Sequence, residues 1–436
     1  MSLFFIGIKG SGMSALAIMC QDLGYTVSGS DIDKHIFTED ALRERNIPIY
    51  PFSETNIQDN MTVVIGNAFN DDFPEVAAAY RNPTVKASRY HDFLGELMKQ
   101  YFTISVSGSH GKTTTTTLLK DMLAYSKKTG YLIGDGHGEL AQDDEYLAVE
   151  ACEYKRHFLA YYPDIAIITN VELDHVDYFK DDDDYASSYE SFAQNVGKYL
   201  IICGDDPKAR ALRITKEHYY YGFSADNDFS LTHVEYSQTH SSFDCSFRGQ
   251  LIGHFDLPLV GDHMILNALS VIAVGYLLGI PAADIEAGLA SFHGAARRFV
   301  IEENGDNVYI DDYAHHPTEV KVTLMACRRR FPDRKLVAVF KPHRVSRVKY
   351  FAEAFAEALQ LADVIALCPF TSIDDAEEGI DIDIHYLEQM IPGSFIVDDN
   401  DDDAKRLADE GPAVYAFMSS KDIYDLKNRV KRYQAS

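Results

Sequence analysis

The chain has 436 residues, enough for about three domains at ~150 residues each. Apolar residues make up 46% and charged residues 25%, a globular balance, while the net charge of −27 argues against a general nucleic-acid binder, which needs a basic surface. The same charge denies an anionic substrate long-range steering, so any anion site must be built locally.

Three stretches read as fresh starts of an α/β unit. Residues 3–8 form a strand-length apolar run, followed by a glycine loop and a helical pattern over 13–23. Residues 61–65 read as a further buried strand, and a boundary is expected near Lys99-Gln100-Tyr101. The second start is a β-type run over 102–106, a second glycine loop and a helix over 113–125. Strands follow at 146–149 and 165–169, whereas the alternating, Gly- and Ser-punctuated stretch 219–257 suggests an antiparallel insertion. A second boundary is expected near His293-Gly294-Ala295-Ala296, then a strand at 308–310. The third start is 335–340, with a helical stretch running on to 361. Strands alternating with helices predict mostly parallel sheets. The acidic runs 181–184 and 398–403 precede helical patterns and lack EF-hand spacing, so they read as solvated helix starts.

Six scattered cysteines form no C-x-x-C pair, which predicts reduced thiols rather than zinc or disulfides. The N-terminus carries no basic segment or cleavage site, and no stretch reaches the ~20 apolar residues of a membrane span. A cytoplasmic protein without membrane or nucleic-acid partners is expected.

Three groups of residues carry candidate chemistry. Gly10-Ser11-Gly12-Met13-Ser14-Ala15 satisfies G-x-G-x-x-A between strand and helix, so its backbone N–H groups can face a diphosphate. Asp31 follows at the separation of a ribose-binding acid, which leaves an NAD-dependent oxidoreductase open. The second loop, Gly108-Ser109-His110-Gly111-Lys112-Thr113-Thr114, is not a literal Walker A, since Val106 stands where the first Gly would fall. Its working parts are present: Gly111 for close approach, Lys112 for the β and γ phosphates, Thr113 to offer a hydroxyl to Mg²⁺. The third group is Glu150 and His175, each just beyond a strand-like run, where a carboxylate and an imidazole can share a divalent ion. Surface charge clusters remain an alternative for that third group.

These segments, together with Arg297-Arg298-Phe299, residues 311–319 and Pro342-His343-Arg344-Val345-Ser346-Arg347, resemble the Mur ligase family in order along nearly the whole chain. The resemblance implies three α/β domains: a Rossmann-like UDP-sugar domain (1–99), a central P-loop ATPase domain with a mostly parallel sheet (100–295), and a Rossmann-like C-terminal domain binding the amino acid (296–436). It implies an ADP-forming ligase joining L-alanine to the lactyl carboxylate of UDP-N-acetylmuramate through an acyl phosphate, with ATP and Mg²⁺. A ligase attaching a whole peptide to the same sugar is the family alternative.

Roles follow by resemblance. Gly10, Ser11, Gly12, Met13, Ser14 and Asp31 would bind the UDP sugar. Gly108, Ser109, His110, Gly111, Lys112, Thr113 and Thr114 would bind ATP phosphates, with Asn267 at the adenine and Arg298 and Asp312 reaching the nucleotide. Thr113, Glu150 and His175 would be metal ligands. Tyr313, His315, Arg344 and Arg347 would form the alanine pocket, His315 assisting proton loss from the amine. Lys9 is expected to add local positive charge, and the chain to act as a monomer or weak dimer. It departs from the family at Cys152, usually Asp, and at Asp262 and Met264 in Gly261-Asp262-His263-Met264-Ile265-Leu266-Asn267, where Arg and Asn are usual.

Overall fold

The computed structural model describes residues 2–295, 297–370, 379–421 and 423–435; Met1 and Ala296, the first residue of the expected third domain, lie outside them. The described residues build three sheets, grouped into two compact units. The first unit takes in residues 1–172 and most of 183–292, and so holds two sheets. The second is formed by 293–436 together with Leu173–Asp182 and Tyr236–His240.

The first sheet has five parallel strands, with Ser2–Ile6 at its centre between Thr26–Ser30 and Thr62–Ile65. Its central strand is almost wholly buried, as the apolar run of the sequence requires. The glycine loop follows, and the helix Ser11–Asp22 begins with neither a capping side chain nor an acidic residue in its first turn. Its first N–H groups are thus open to an anion.

The second sheet has ten strands, and its centre defines the site. Phe102–Ser107 lies between Tyr146–Glu150 and Ile165–Ile168, parallel to both. Three strand ends therefore deliver Gly108, Glu150 and Thr169 to one edge. The helix Lys112–Ser126 packs its Leu118, Leu119, Met122 and Leu123 into the core beneath. Toward the far edge the structure corrects the first part of the antiparallel expectation for 219–257. His218–Gly222 pairs parallel to Tyr199–Cys203, and Phe229–Tyr236 parallel to His218–Gly222. Farther out the expectation holds: Ser241–Phe247 with Gln250–Leu257 forms an antiparallel hairpin. These strands bury Tyr221, Phe229, Phe243 and Phe255 in the common core, so they extend the central sheet instead of standing apart from it.

The third sheet has six strands, five parallel and one antiparallel edge strand, Val300–Asn304. The helical stretch expected to run to 361 is two helices, Val345–Tyr350 and Ala352–Leu359, interrupted at Phe351. The acidic runs sit at helix starts as expected: Asn400 caps Asp401–Ala408 by accepting from the Asp403 N–H at 2.9 Å.

Within the first unit, the two sheets meet where the helix Tyr90–Met98 crosses the 154–160 segment. A Cβ on Gly95 would lie 2.2 Å from the Ala160 carbonyl oxygen, so backbone packs on backbone there. Gly95→Ala is expected to cost about 1–3 kcal/mol through overpacking, read as a lower urea midpoint with an unchanged m-value.

Candidate nucleotide and amino-acid sites

The second glycine loop is shaped by close approach. Gly108 has φ +135°, and a Cβ there would lie 2.0 Å from Thr169 Oγ1. Gly111 has φ +80°, and its Cβ would meet Asn267 Oδ1 at 2.9 Å. Asn267, on the helix Asp262–Leu277, is thus brought against the phosphate loop. The loop is pinned from the neighbouring strand: Thr169 Oγ1 donates to the His110 carbonyl at 2.6 Å, and Asn170 Oδ1 accepts the His110 N–H at 2.9 Å. The Ser109 hydroxyl donates to the Glu172 carbonyl at 2.6 Å, and His110 Nε2 lies 2.8 Å from Glu172 Oε2.

Lys112 points back into this loop. Its ammonium donates to the carbonyls of Gly108 at 2.6 Å and Ser109 at 3.0 Å, and pairs with Glu153 Oε2 at 3.0 Å. Burial works against the charge, but Glu153 and Glu150 outweigh it and hold the lysine above its ordinary pKa. Glu153 is fully buried, and its Oε1 accepts from the Tyr185 hydroxyl at 3.2 Å, which in turn contacts Ser109 Oγ at 2.9 Å. Sequence reasoning assigned Glu153 and Tyr185 no role. The available signal was a second acid three residues beyond Glu150.

Thr113 and Glu150 are brought together, with Thr113 Oγ1 donating to Glu150 Oε2 at 3.0 Å. The Gly134 N–H reaches the same carboxylate oxygen at 2.9 Å. A hydroxyl and a carboxylate are hard oxygen donors that suit Mg²⁺, so these two residues fit the implied ion. Cys152 is exposed and brings no carboxylate to the site. Met264 packs on the core beneath, and Asp262 opens its helix, where negative charge suits the N-terminal dipole.

At the first glycine loop, Gly10, Ser11, Gly12, Met13 and Ser14 form the helix cap and first turn. Ser14 Oγ donates to the Ser11 carbonyl at 3.0 Å. Asp31 is buried, with one oxygen accepting the Lys9 N–H at 2.7 Å and the other the Ile32 N–H at 2.8 Å. A carboxylate so engaged braces the loop's own backbone. Lys9 is the clearer departure from expectation: its ammonium is buried against Glu39 at 2.6 Å and donates to the Ile32 carbonyl at 2.8 Å. It neutralises a buried acid and adds no outward positive charge.

In the second unit, Asp312 turns both oxygens to backbone, accepting from the N–H of Phe299 and of Ala314 at 2.8 Å each. Burial, with help from Glu319, raises its pKa to about 6 against the pull of Arg298. Arg298 lies 4.8 Å from the Tyr313 ring centre and 3.6 Å from Glu319. His315 Nδ1 is 3.0 Å from the Tyr313 carbonyl, and the His315 backbone N–H donates to Glu319 Oε2 at 3.0 Å. Arg344 and Arg347, expected as an open fork for a carboxylate, are both engaged: Arg344 with Asp177 at 2.5 Å and Arg347 with Asp174 at 2.8 Å. His175 lies in the same segment as these two acids.

A phosphate loop at the head of a parallel sheet, its lysine charged and its threonine beside a carboxylate, defines an α/β ATP-using enzyme. The chain belongs to the Mur ligase family, ATP-dependent ligases of peptidoglycan precursor synthesis. Residues 3–102 match the Mur ligase family catalytic domain, 106–275 the Mur ligase middle domain, and 297–414 the Mur ligase glutamate ligase domain. Among solved structures, it is similar to a UDP-N-acetylmuramate-alanine ligase from Thermotoga maritima, with 27% identity, TM-score 0.81, and 100% and 99% of the two chains covered. A murein peptide ligase from Psychrobacter arcticus shares the fold at 23% identity, TM-score 0.76 and the same coverage. So does a MurF ligase from Thermotoga maritima in complex with ADP, at 19% identity and TM-score 0.66, covering 88% of this chain and 96% of that one. No helix among the described residues is long and apolar enough to cross a membrane.

His343 supplies a pH test of the second unit. Burial, then Lys421, His315, Arg347 and Arg344, push its pKa down from 6.5 to about 3. Between those values the unfolded chain binds a proton that the folded chain refuses, so stability falls as pH drops below 6.5. His343→Gln removes that proton uptake. Urea titrations at pH 7 and pH 5 are expected to show a larger loss for the wild type than for the variant.

Proposed function

We propose that the chain joins L-alanine to the lactyl carboxylate of UDP-N-acetylmuramate, forming ADP and phosphate, in the cytoplasm and as a monomer or weak dimer. The observation that carries this reading is the end-to-end likeness to the Thermotoga alanine ligase, combined with a phosphate loop whose lysine is already charged and placed.

A carboxylate is a poor acyl donor, and ATP converts it to an acyl phosphate. Lys112 offsets charge on the transferring group; residues 108–114 are assigned to the phosphates, with the N–H groups of 111–114 orienting them. Asn267, against Gly111, is assigned to the adenine, and Arg298 and Asp312 to the nucleotide from the C-terminal part. Thr113, Glu150 and His175 are assigned to Mg²⁺, which when bound neutralises phosphate charge and orients oxygens. The helix start at Gly10, Ser11, Gly12, Met13 and Ser14 takes the diphosphate of the sugar nucleotide, with Asp31 bracing the loop. Tyr313, His315, Arg344 and Arg347 are assigned to the amino acid; its amine attacks as the neutral base, and His315 takes the proton. An amide forms and phosphate leaves.

Purified protein with ATP, Mg²⁺ and UDP-N-acetylmuramate is expected to release phosphate with L-alanine and not with L-alanyl-γ-D-glutamyl-diaminopimelate. Release with the tripeptide alone overturns the alanine assignment in favour of peptide attachment. Lys112→Ala is expected to lower turnover by ~10²–10³. Near-wild-type turnover in the same assay removes Lys112 from the chemistry.

A further inference from the structure

Three polar side chains from three separate elements of the first unit converge on one amide. Asn67 follows the strand Thr62–Ile65, His91 lies in the first turn of the helix Tyr90–Met98, and His157 lies in the 154–160 segment that leads away from Glu150. Asn67 Oδ1 accepts from His91 Nδ1 at 2.9 Å, and Asn67 Nδ2 donates to His157 Nδ1 at 3.1 Å. The two imidazoles stack, with ring centres 4.5 Å apart and planes inclined by 21°. The amide offers one acceptor and one donor to the pair, so His91 presents its Nδ1–H and His157 a bare Nδ1.

The clasp lies at the ligand-binding edge of the first sheet. Chain order places Thr26–Ser30 and Thr62–Ile65 on opposite sides of Ser2–Ile6, which opens a crevice beyond the carboxyl ends of these strands. The loop carrying Asn67 packs against the first glycine loop: the Gly66 N–H donates to the Ile6 carbonyl at 3.0 Å, and a Cβ on Gly7 would lie 2.3 Å from the Phe69 ring. Tyr90, beside His91, fills the space that a Cβ on Gly12 would need, its hydroxyl 2.5 Å from that position. A sugar nucleotide with its diphosphate at residues 10–14 must reach from this crevice toward Glu150 to bring its carboxylate to the phosphate loop. His157 belongs to the chain that runs on from Glu150, and Asn67 to the loop beside the glycine helix, so the clasp sets how far apart those ends stand.

The surroundings of the rings oppose a positive charge. Burial lowers the His91 pKa, with Asp92, 3.8 Å from its Nε2, pulling the other way and Arg89 adding to the fall. Burial, then His91, Lys155 and Arg89, push His157 down to about 4, and Tyr154 meets its ring edge-on. A proton on His157 Nδ1 would set an N–H against the Asn67 amino group, and turning the amide over would only move the conflict to His91. We infer that Asn67, His91 and His157 are positioning residues for the sugar nucleotide, a clasp that holds the crevice beside the first glycine loop at a fixed distance from the chain after Glu150 and that closes only while His157 is uncharged. This rests on the proposed function in taking a UDP sugar as the ligand of the first glycine helix. Below pH 6.5 the open clasp takes up a proton that the closed one refuses, so closure weakens as pH falls toward 4.

The test reads affinity for two ligands by titration calorimetry. Kd for UDP-N-acetylmuramate is measured at pH 7 and pH 5, a range in which its own acids stay ionised, and Kd for a non-hydrolysable ATP analogue at pH 7. The wild type is expected to bind the sugar nucleotide about three- to ten-fold more weakly at pH 5. His157→Phe, which keeps a flat ring in the stack, and Asn67→Ala are expected to weaken that binding about ten-fold at pH 7. Both should flatten its pH dependence to less than about two-fold and move the ATP analogue by less than about two-fold. Variants that bind the sugar nucleotide as the wild type does, or that keep its pH dependence in full, overturn the inference. Equal loss of both ligands also overturns it, because the three residues then support the fold alone. Absence of sugar-nucleotide binding by the wild type at pH 7 overturns the functional reading and the inference together, whereas binding that pH and both variants leave unchanged overturns the inference alone.

Discussion

An ammonium group buried in a phosphate loop needs a counter-charge, and Glu153 supplies it to Lys112 at 3.0 Å. Without that carboxylate, burial would favour the neutral amine, and a neutral lysine offers nothing to a triphosphate. Glu153 in turn is held by Tyr185, whose hydroxyl also contacts Ser109 of the loop. Charge, loop shape and the helix Asp182–Asn195 are thus parts of one hydrogen-bonded assembly. The three central strands set its frame, because their parallel register ends Phe102–Ser107 and Tyr146–Glu150 at the same edge.

This explains how a strongly acidic protein accommodates anions. Its carboxylates near the loop are committed: Glu153 to Lys112, Glu150 to Thr113 and the Gly134 N–H, and Glu172 to His110. Others are paired elsewhere: Glu39 with buried Lys9, Asp174 with buried Arg347, and Asp399 and Asp401 with Arg429. The positive elements are backbone N–H groups and one lysine, which act at contact distance and owe nothing to net charge.

What was legible in the sequence was local. Gly111, Lys112 and Thr113 are adjacent, and their geometry follows from a strand, a tight turn and a helix, so the motif declared itself. The strands over 102–106 and 146–149 were legible for the same reason, as unbroken apolar runs. Contacts between distant segments were not. Arg347 and Asp174 are 173 positions apart, and neither segment alone signals that one neutralises the other. Lys9 reads as a phosphate-facing cation until Glu39 is placed against it by tertiary packing. His218–Gly222 was expected antiparallel and pairs parallel with its neighbours, because alternation reports exposure of one face and is silent on strand direction.

The loop at 134–138 has a consequence for how such a chain can be recombined. A Cβ on Gly136 would sit 2.8 Å from the Thr38 side chain, and one on Gly138 would sit 2.7 Å from the Ala15 carbonyl oxygen. The same loop offers its Gly134 N–H to Glu150. Residues far beyond position 99 therefore form part of the seat of the first glycine helix. A chimera that exchanges only the first hundred residues would graft a helix onto a surface shaped for another. Carrying 134–138 across with it would keep the two halves of that contact matched.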